Sequence, residues 1–328
     1  MILFWLACSA PELGIMYDGA RLDVIDMHLH TGEWGDIGEG SQRYLTSRFP
    51  FPFGLTPESL VEDTLSAQGI QRELDKGGLE RGFLYSVYAP RSVGVSTNEF
   101  VISQIEQSDR LYGIASLSVE EWENQGEEQL SALNEALQHP KMIGVKLAHT
   151  HQHFRMDDPR YYPIYELAGN NQAPVYIHTG PSPFPGTNPT EPYINPLYLE
   201  EAIEMFPQTQ FVLGHMCYDF INRKSDTMER CYELAARYDN IWLEPSAFGS
   251  RSSDPEGEVL AEAYTYVKEN NLIDKMIFGS DGPQSPGFVA DYTERNIDAM
   301  SRAGYTADEA ERVLSGTAKE LYNLPEYP

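Results

Sequence analysis

Short apolar runs alternate with longer segments of helical periodicity from residue 22 to the end of the chain. Eight runs of six to nine residues are predicted strands: 22–30, 81–88, 111–119, 142–149, 174–179, 211–216, 241–246 and 276–281. Helical periodicity between them is clearest at residues 127–138, 196–206, 225–238 and 257–270. Strands that alternate with helices form parallel sheets. The pattern therefore predicts an α/β fold, a (β/α)8 TIM barrel, in preference to an open doubly wound sheet.

Two helices close the predicted barrel after the last strand. They span residues 291–304 and 306–324, and the second begins at Thr306, which can form a capping box with Glu309 three residues later. Because no linker-like stretch interrupts the alternation, residues 21–328 form one predicted domain.

Two long insertions interrupt the regular alternation, at residues 31–56 and 179–196. They follow strands one and five, so both begin at the carboxyl end of a strand, where barrels of this kind carry their active sites. The second insertion is rich in proline, and its stiff backbone suits the wall of a pocket.

The first 20 residues lie outside the periodic sequence and are predicted to be a disordered leader or a truncated signal. The stretch MILFWLACSAP has a short apolar run before Cys8, as at the end of a lipoprotein signal, but lacks a basic start. We therefore expect a cytoplasmic protein, with export or lipid anchoring through Cys8 as the alternative. Three cysteines in a chain of 328 residues do not predict a disulfide framework.

The charge of the chain limits its partners. A formal net charge of -27 argues against binding to nucleic acid or to an anionic membrane surface. No stretch of 18 apolar residues occurs, so no membrane-spanning segment is expected. A small-molecule substrate remains, and an anionic one would need a local positive centre.

The motif DMHLH at the end of the first strand is the first candidate for chemistry. Alternation along a strand places His28 and His30 on the inner face and Ile25, Met27 and Leu29 on the face that packs on helices. Two imidazoles two residues apart can bind one ion. Eight histidines in the chain make such pairs frequent by chance, so their position on the strand matters more than their spacing.

Three further polar residues stand at the carboxyl ends of other strands. His178 ends strand five, His215 ends strand six and Asp281 ends strand eight. Strand ends of a barrel meet on one face, so these side chains should converge with DMHLH. Asp26 lies one step deeper on strand one, where it could orient a ligand.

The run HTHQH and the preceding Lys146 supply rival candidates. Most of HTHQH is predicted to lie in the loop after strand four, with His149 able to reach the pocket and His151 and His153 as loop residues. A carboxylated Lys146 could bridge two metal ions. Because Lys146 and His149 are an odd number of residues apart, an unbroken strand cannot point both inward, and a single ion is favoured.

The ordered motifs DMHLH, GVKLAH, PVYIHTGPS, FVLGHM, IFGSDGP and VLSGTAKELYNL resemble the amidohydrolase superfamily, in its amidohydrolase-related (amidohydrolase 2) branch, over residues 22–324. The resemblance implies a divalent metal ion, usually zinc, bound by His28, His30, His178 and Asp281. It further implies that His215 assists catalysis together with Asp281. By analogy with relatives, a homodimer is expected.

Three functions are compatible with this site. The first is hydrolysis of a lactone, ester or amide of a small organic molecule by a metal-activated water. The second is non-oxidative decarboxylation, or hydration, of an aromatic or unsaturated carboxylic acid, which the resemblance also implies. A barrel that only binds a ligand is the remaining alternative, but it predicts a missing ligand residue and none is missing.

Substrate contacts are predicted at four residues, His149, Arg155, Trp34 and Glu244. An acidic substrate would need an arginine, and the candidates are Arg43, Arg48, Arg155 and Arg251.

Overall fold

The computed structural model describes residues 13–48 and 57–327. Within them the strands are β1 (Ile15–Tyr17), β2 (Ala20–Leu22), β3 (Ile25–His30), β4 (Arg81–Tyr85), β5 (Val87–Ala89), β6 (Gly94–Ser96), β7 (Leu111–Ala115), β8 (Met142–Leu147), β9 (Val175–His178), β10 (Phe211–Gly214) and β11 (Ile241–Glu244).

The α-helices of the same residues are α1 (Glu39–Arg48), α2 (Pro57–Leu65), α3 (Ala67–Gly77), α4 (Asn98–Ile105), α5 (Trp122–Ala136), α6 (His149–Gln152), α7 (Tyr162–Asn170), α8 (Glu191–Ile194), α9 (Glu200–Met205), α10 (Glu229–Arg237), α11 (Glu258–Glu269), α12 (Phe288–Arg302), α13 (Ala307–Glu311) and α14 (Thr317–Leu321). Short 3-10 helices lie at Trp34–Asp36, Pro159–Tyr161, Pro196–Leu199, His215–Cys217, Asp226–Met228 and Ile273–Lys275.

Seven strands form one curled parallel sheet in the order β11-β10-β9-β8-β7-β4-β3. Neighbours along the sheet are joined by the helices that follow each strand, as the alternating pattern predicts. The outward side chains of the strands, such as Leu84, Val145 and Leu213, belong to a core that they share with the helices. The prediction of a parallel α/β barrel is confirmed for these seven strands.

The predicted eighth strand is an extended segment without regular pairing. Residues 276–282, which we call the closing segment, form isolated parallel bridges to both edges of the sheet, Leu243 to Met276 and Leu29 to Gly282. The backbone leaves the strand conformation at Asp281, which has a φ of 64°. That left-handed residue interrupts the extended backbone between the two bridges, so the segment closes the sheet without forming a full strand.

A bulge in β3 changes which residues face inward. The pairing with β4 shifts from Asp26–Gly82 to Leu29–Leu84, so that three residues of β3 span two of β4. Ile25 and Met27 consequently pack in an inner cluster with the strand residues Phe83, Tyr85, Tyr112, Ile114, Tyr176, Val212 and Ile277. The prediction that Ile25 and Met27 face the helices is therefore wrong, because strict alternation does not hold through a bulge.

The carboxyl-terminal helices follow the predicted cap. The Thr306 hydroxyl accepts a hydrogen bond from the Glu309 backbone N–H at 3.3 Å, and the Glu309 carboxylate accepts one from the Thr306 N–H at 2.8 Å. The predicted helix over 306–324 is divided into α13, a π-helical turn at Arg312–Gly316 and α14. Its last residues, Leu321 and Tyr322, pack against the inner cluster.

The predicted leader and first insertion are only partly described. Residues 1–12 of the leader, including Cys8, and residues 49–56 of the insertion lie outside the described residues. From residue 15 the chain forms the β1–β2 hairpin, and the Tyr17 hydroxyl donates a hydrogen bond to the Tyr305 carbonyl at 2.9 Å. The hairpin is a separate two-stranded sheet, and its residues Tyr17 and Leu22 pack in the core that the strands share with the helices. None of the described helices combines the length and hydrophobicity needed to cross a membrane.

One disulfide joins Cys217 to Cys231, contrary to the expectation from the cysteine count. Both residues are buried and their Cα atoms are 6.1 Å apart. The two cysteines are 14 residues apart in the chain. They meet because the chain turns back after β10 and places α10 against the residues that follow the strand. A count of cysteines contains no information about that return.

We predict that removing this disulfide destabilises the protein. Opening a loop of this length restores conformational freedom to the unfolded chain, so Cys217→Ser and Cys231→Ser should each lower the free energy of unfolding by about 3 kcal/mol. Urea denaturation measures the change, and wild-type protein treated with a reductant should match the variants. Equal stability of the reduced and non-reduced wild-type protein would contradict the pairing.

Candidate metal centre and substrate cavity

The carboxyl ends of the parallel strands bring five predicted site residues together. His28 and His30 end β3, His178 ends β9, and His215 directly follows β10. Asp281 lies in the closing segment, next to β3. All five line or adjoin one cavity, as expected for a barrel whose site is on the carboxyl face of the sheet.

The carboxylate of Asp281 is the centre of the group. Its Oδ1 lies 2.9 Å from His30 Nε2 and 3.3 Å from His28 Nε2. Ligand atoms of His28, His215 and Asp281 all lie within 4.8 Å of one another. A carboxylate and imidazole nitrogens at this separation can share one divalent ion.

His178 completes the set of donors. Its ring centroid lies 4.5 Å from that of His215, and its Nε2 is buried without a hydrogen-bond partner among the described residues. A buried polar nitrogen without a partner is costly unless something binds it. The donor set of three imidazoles and a carboxylate, with this nitrogen available, therefore fits a divalent metal ion.

A second layer of side chains orients two of the imidazoles. His28 Nδ1 lies 3.1 Å from the Tyr176 hydroxyl, 3.1 Å from Ser246 Oγ and 3.4 Å from Glu244 Oε1. His215 Nδ1 lies 2.9 Å from the same Ser246 Oγ, which donates to Glu244 Oε2 at 2.8 Å. Contacts of this kind fix the ring orientation and leave the Nε2 atoms to face the centre.

Close backbone approach allows this second layer to form. A Cβ at position 214 would lie 1.9 Å from the Tyr176 hydroxyl oxygen, and a Cβ at position 279 would lie 2.2 Å from Glu244 Oε1. Both positions are glycine. Only residues without a side chain fit there, so Gly214 and Gly279 are part of how the sequence builds the site.

Burial sets the protonation state of the centre. It lowers the pKa of His28 and His178 well below the ordinary value and lowers the pKa of His30 and His215. These imidazoles are therefore neutral near pH 7, which is the form that binds metal. Burial alone would raise the pKa of Asp281, but the imidazoles of His28 and His30 outweigh it and hold that pKa well below its usual range.

Asp26 joins the two chain segments that carry the predicted ligands. Its Oδ1 accepts hydrogen bonds from the backbone N–H groups of His28 at 3.0 Å and Ser280 at 2.9 Å. Burial raises the pKa of this carboxyl to about 7. The role of Asp26 is thus to hold β3 and the closing segment in register.

Lys146 points into the centre, in keeping with the odd separation between Lys146 and His149. Its Nζ lies 3.2 Å from His28 Nε2 and over the rings of Tyr85 and Tyr176, at 4.7 and 5.1 Å from their centroids. Burial lowers the pKa of Lys146 to about 8. The amine faces the same cavity as the imidazoles.

The positions of His149 and His151 in HTHQH are the reverse of those predicted. His151 lines the cavity, with its ring centroid 4.9 Å from that of His178, whereas His149 packs on Phe154 and lies 3.3 Å from the Tyr165 hydroxyl. The cause is α6, which begins at His149. In a helix, the side chains of residues two apart point in directions that differ by about 200°. His151 therefore points into the cavity because His149 points away from it.

The cavity next to the centre has a volume of about 500 Å³. Much of its wall is apolar and comes from the insertion after β3, the β5–β6 hairpin and the insertion after β9: Ile37, Leu45, Val87, Val93, Pro183, Phe184 and Pro185. Phe220, from the loop after β10, adds an aromatic wall 5.5 Å from the His215 ring centroid. A cavity of this size and polarity suits a small organic molecule.

Several backbone positions at the cavity are strained. Four non-glycine residues among the described lining residues have positive φ angles, 60° at His215, 54° at Arg223, 64° at Ala247 and 64° at Asp281. Non-glycine residues adopt this conformation at a cost, and such residues concentrate at functional sites.

None of the four predicted substrate contacts, His149 included, is among the described residues that line this cavity. Arg155 is exposed and pairs with Asp157 at 2.6 Å, Trp34 packs with Val61 and Leu65, and Glu244 is buried behind His28. The arginine that does line the cavity is Arg223, which no sequence pattern indicated.

Other arginine candidates lie elsewhere. Arg43 pairs with Glu39 and Arg251 with Asp291 on the surface, and the side chain of Arg48 lies outside the described residues. Tyr176, by contrast, could have been found from the sequence, because it lies two residues before His178 and shares its face of the strand.

Comparison with solved structures agrees with the fold. An uncharacterised TIM-barrel protein from Bordetella bronchiseptica is 20% identical, with a TM-score of 0.67 over 92% of this chain and 98% of that one. A probable 2-pyrone-4,6-dicarboxylic acid hydrolase from Acinetobacter baumannii is 18% identical, with a TM-score of 0.58 over 92% and 100%. The 5-carboxyvanillate decarboxylase LigW from Sphingomonas paucimobilis is 12% identical, with a TM-score of 0.60 over 93% and 100%.

No curated protein matches the chain in sequence. The Amidohydro_2 family model, described as amidohydrolase, matches residues 25–324, which include the whole sheet and every residue of the candidate centre. The chain therefore belongs to the amidohydrolase family.

Proposed function

We propose that the protein is a hydrolase that cleaves a lactone, ester or amide bond of a small organic molecule with the aid of one zinc ion. His28, His30, His178 and Asp281 would hold the ion. The observation that carries the proposal is that the Nε2 atoms of His28 and His30 lie within 3.3 Å of the Asp281 carboxylate, while His178 Nε2, at the same cavity, is buried and without a partner among the described residues. Three imidazoles and a carboxylate form a donor set that suits zinc.

A single ion is favoured over a pair. A second ion would require a carboxylated Lys146, which is neutral at the nitrogen and negative at the new oxygens. The Lys146 Nζ lies over the faces of Tyr85 and Tyr176, and aromatic faces attract an ammonium group. The surroundings of Lys146 therefore support an unmodified lysine.

The chain's own residues supply the proton transfers. The ion contributes Lewis-acid chemistry, polarising a carbonyl group and making a water molecule more acidic. The Asp281 carboxylate, which its low pKa keeps ionised, would accept the proton of the attacking water. His215, which Ser246 holds through Nδ1, relays this proton from its Nε2 to the leaving oxygen or nitrogen as the bond to carbon breaks.

A metal-dependent decarboxylase is the second candidate, and Lys146 is the observation in its favour. A buried amine beside His28 gives the centre a positive charge that could hold a substrate carboxylate before it leaves as carbon dioxide. The similarity in fold to 5-carboxyvanillate decarboxylase is in keeping with this alternative.

The compartment of the protein also enters the proposal. The sequence leaves two compartments open, the cytoplasm and, as the alternative, an exported or lipid-anchored location. The Cys217–Cys231 disulfide supports the alternative of an exported protein, because disulfides persist mainly in oxidising compartments.

The assignment of ligands predicts different metal contents for two neighbouring histidine variants. The wild-type protein should bind about one equivalent of zinc. His178→Asn should lose it, whereas His215→Asn should retain it, because His215 transfers protons and does not hold the ion. Elemental analysis after dialysis measures both, with His139→Asn, a partly exposed histidine paired with Glu106, as the control.

The opposite result, loss of zinc from His215→Asn and its retention by His178→Asn, would contradict the assignment. It would instead make His28, His215 and Asp281 the ligands, in agreement with their short mutual distances.

The choice between hydrolysis and decarboxylation can be made from the products. A panel of lactones, esters, amides and aromatic acids should reveal a substrate that is cleaved. When the reaction is run in isotopically labelled water, the product should contain one labelled oxygen atom. Asp281→Asn should reduce the cleavage rate by at least roughly 100-fold, because the carboxylate is proposed both to hold the ion and to act as the general base. Release of carbon dioxide from an aromatic acid, without cleavage of any ester, amide or lactone, would replace the hydrolase with the decarboxylase.

A further inference from the structure

Basic residues outnumber acidic residues along the described part of the cavity wall, whereas acidic residues outnumber basic residues in the whole chain. The chain has 50 acidic and 23 basic residues apart from histidine. Among the described residues that line the cavity, Asp281 is the acidic one, and Lys146 and Arg223 are the basic ones. In a strongly acidic protein, a positive cavity attracts and concentrates anions.

Arg223 differs from the other arginines whose side chains the structure describes. Each of the others makes an ion pair or a hydrogen bond, for example Arg155 with Asp157 and Arg251 with Asp291. Arg223 makes neither with any described residue, although it lines the cavity and is exposed. With so many carboxylates in the chain, an arginine without a partner is available to a ligand.

The loop that carries Arg223 is held in place. The Asp219 carboxylate accepts hydrogen bonds from the backbone N–H groups of Ile221 and Asn222, both at 2.9 Å. The backbone groups of Asp219 and Lys224 bond each other at 3.0 and 3.2 Å. The disulfide between Cys217 and Cys231 spans the loop. Such a loop can position a guanidinium without being ordered by the ligand.

Serine hydroxyls from the adjoining loop lie at the same cavity. Ser250, Ser252 and Ser253 all line it, and the Ser250 hydroxyl lies 3.0 Å from that of Ser252 and 3.4 Å from that of Ser253. The two loops are joined by the stacked rings of Tyr218 and Phe248, 5.4 Å apart. Hydroxyl groups next to a guanidinium can donate to the oxygens of one carboxylate.

We propose that Arg223, together with Ser252 and Ser253, binds a carboxylate of the substrate that is remote from the bond being broken. The inference rests on the proposed function, because it takes the metal centre as the place where the reacting bond lies. Phe220, three residues before Arg223, packs against His215 and provides the apolar surface between the two places. The substrate class is thus a small organic acid with an apolar middle.

A carboxylate fits this subsite better than a phosphate. One guanidinium and neutral hydroxyls balance a single negative charge. Lys224 and Arg251 belong to the same two loops but are not among the described residues that line the cavity, where Arg223 is the basic residue from these loops. A phosphate dianion would keep an uncompensated charge. The other cavity cation, Lys146, contacts His28 at the metal centre and serves the reacting end.

The test is a calorimetric titration of the zinc-loaded, full-length protein with succinate, glutarate, adipate and isophthalate, each compared with its monoamide. In the wild type at least one dicarboxylate should bind about 10- to 100-fold more tightly than its monoamide, the range for a hydrogen bond to a charged group. Arg223→Gln should abolish this preference, and Arg223→Lys should keep part of it. Arg251→Gln, a surface arginine outside the cavity, should behave as the wild type.

The proposal is overturned if no dicarboxylate is preferred to its monoamide, or if Arg223→Gln keeps the preference. Tighter binding of phenyl phosphate than of benzoate, lost in Arg223→Gln, would overturn the choice of a carboxylate. These titrations do not depend on turnover. A protein that prefers dicarboxylates through Arg223 but cleaves no ester, amide or lactone would disprove the proposed hydrolase and leave the subsite standing.

Discussion

The junction between β3 and the closing segment is the constraint on which the site depends. Asp26 bonds the backbone N–H groups of both His28 and Ser280, and Asp281 N–H donates to the His28 carbonyl at 2.9 Å. These bonds set the positions of His28, His30 and Asp281 relative to one another. Without them the sheet would still have seven paired strands, but the carboxylate would not meet the imidazoles.

Much of this arrangement could be predicted from the sequence, because parallel strands meet at their carboxyl ends whatever their exact pairing. That rule alone was enough to expect His28, His178, His215 and Asp281 in one place. The directions of individual side chains could not be predicted where the backbone departs from a regular strand. The bulge in β3 reversed Ile25 and Met27, and the helical turn at α6 exchanged His149 for His151.

The conformations of the loops could not be predicted from the sequence either. Arg223 and the Cys217–Cys231 pair depend on how the chain returns after β10, and no periodic pattern describes that return. The same loop supplies Phe220, so one segment determines the size, polarity and charge of the cavity wall beside His215. In the proposed account, the carboxyl ends of the strands provide the reaction chemistry, and this loop provides the selectivity for the substrate.

The central claim is that one ion is held by His28, His30, His178 and Asp281. The most direct test is anomalous X-ray diffraction from crystals of the zinc-loaded protein, recorded on both sides of the zinc absorption edge. The account predicts a single anomalous peak between the side chains of these four residues. A peak bounded by His151 or Lys146 instead, or two peaks of comparable height, would contradict it.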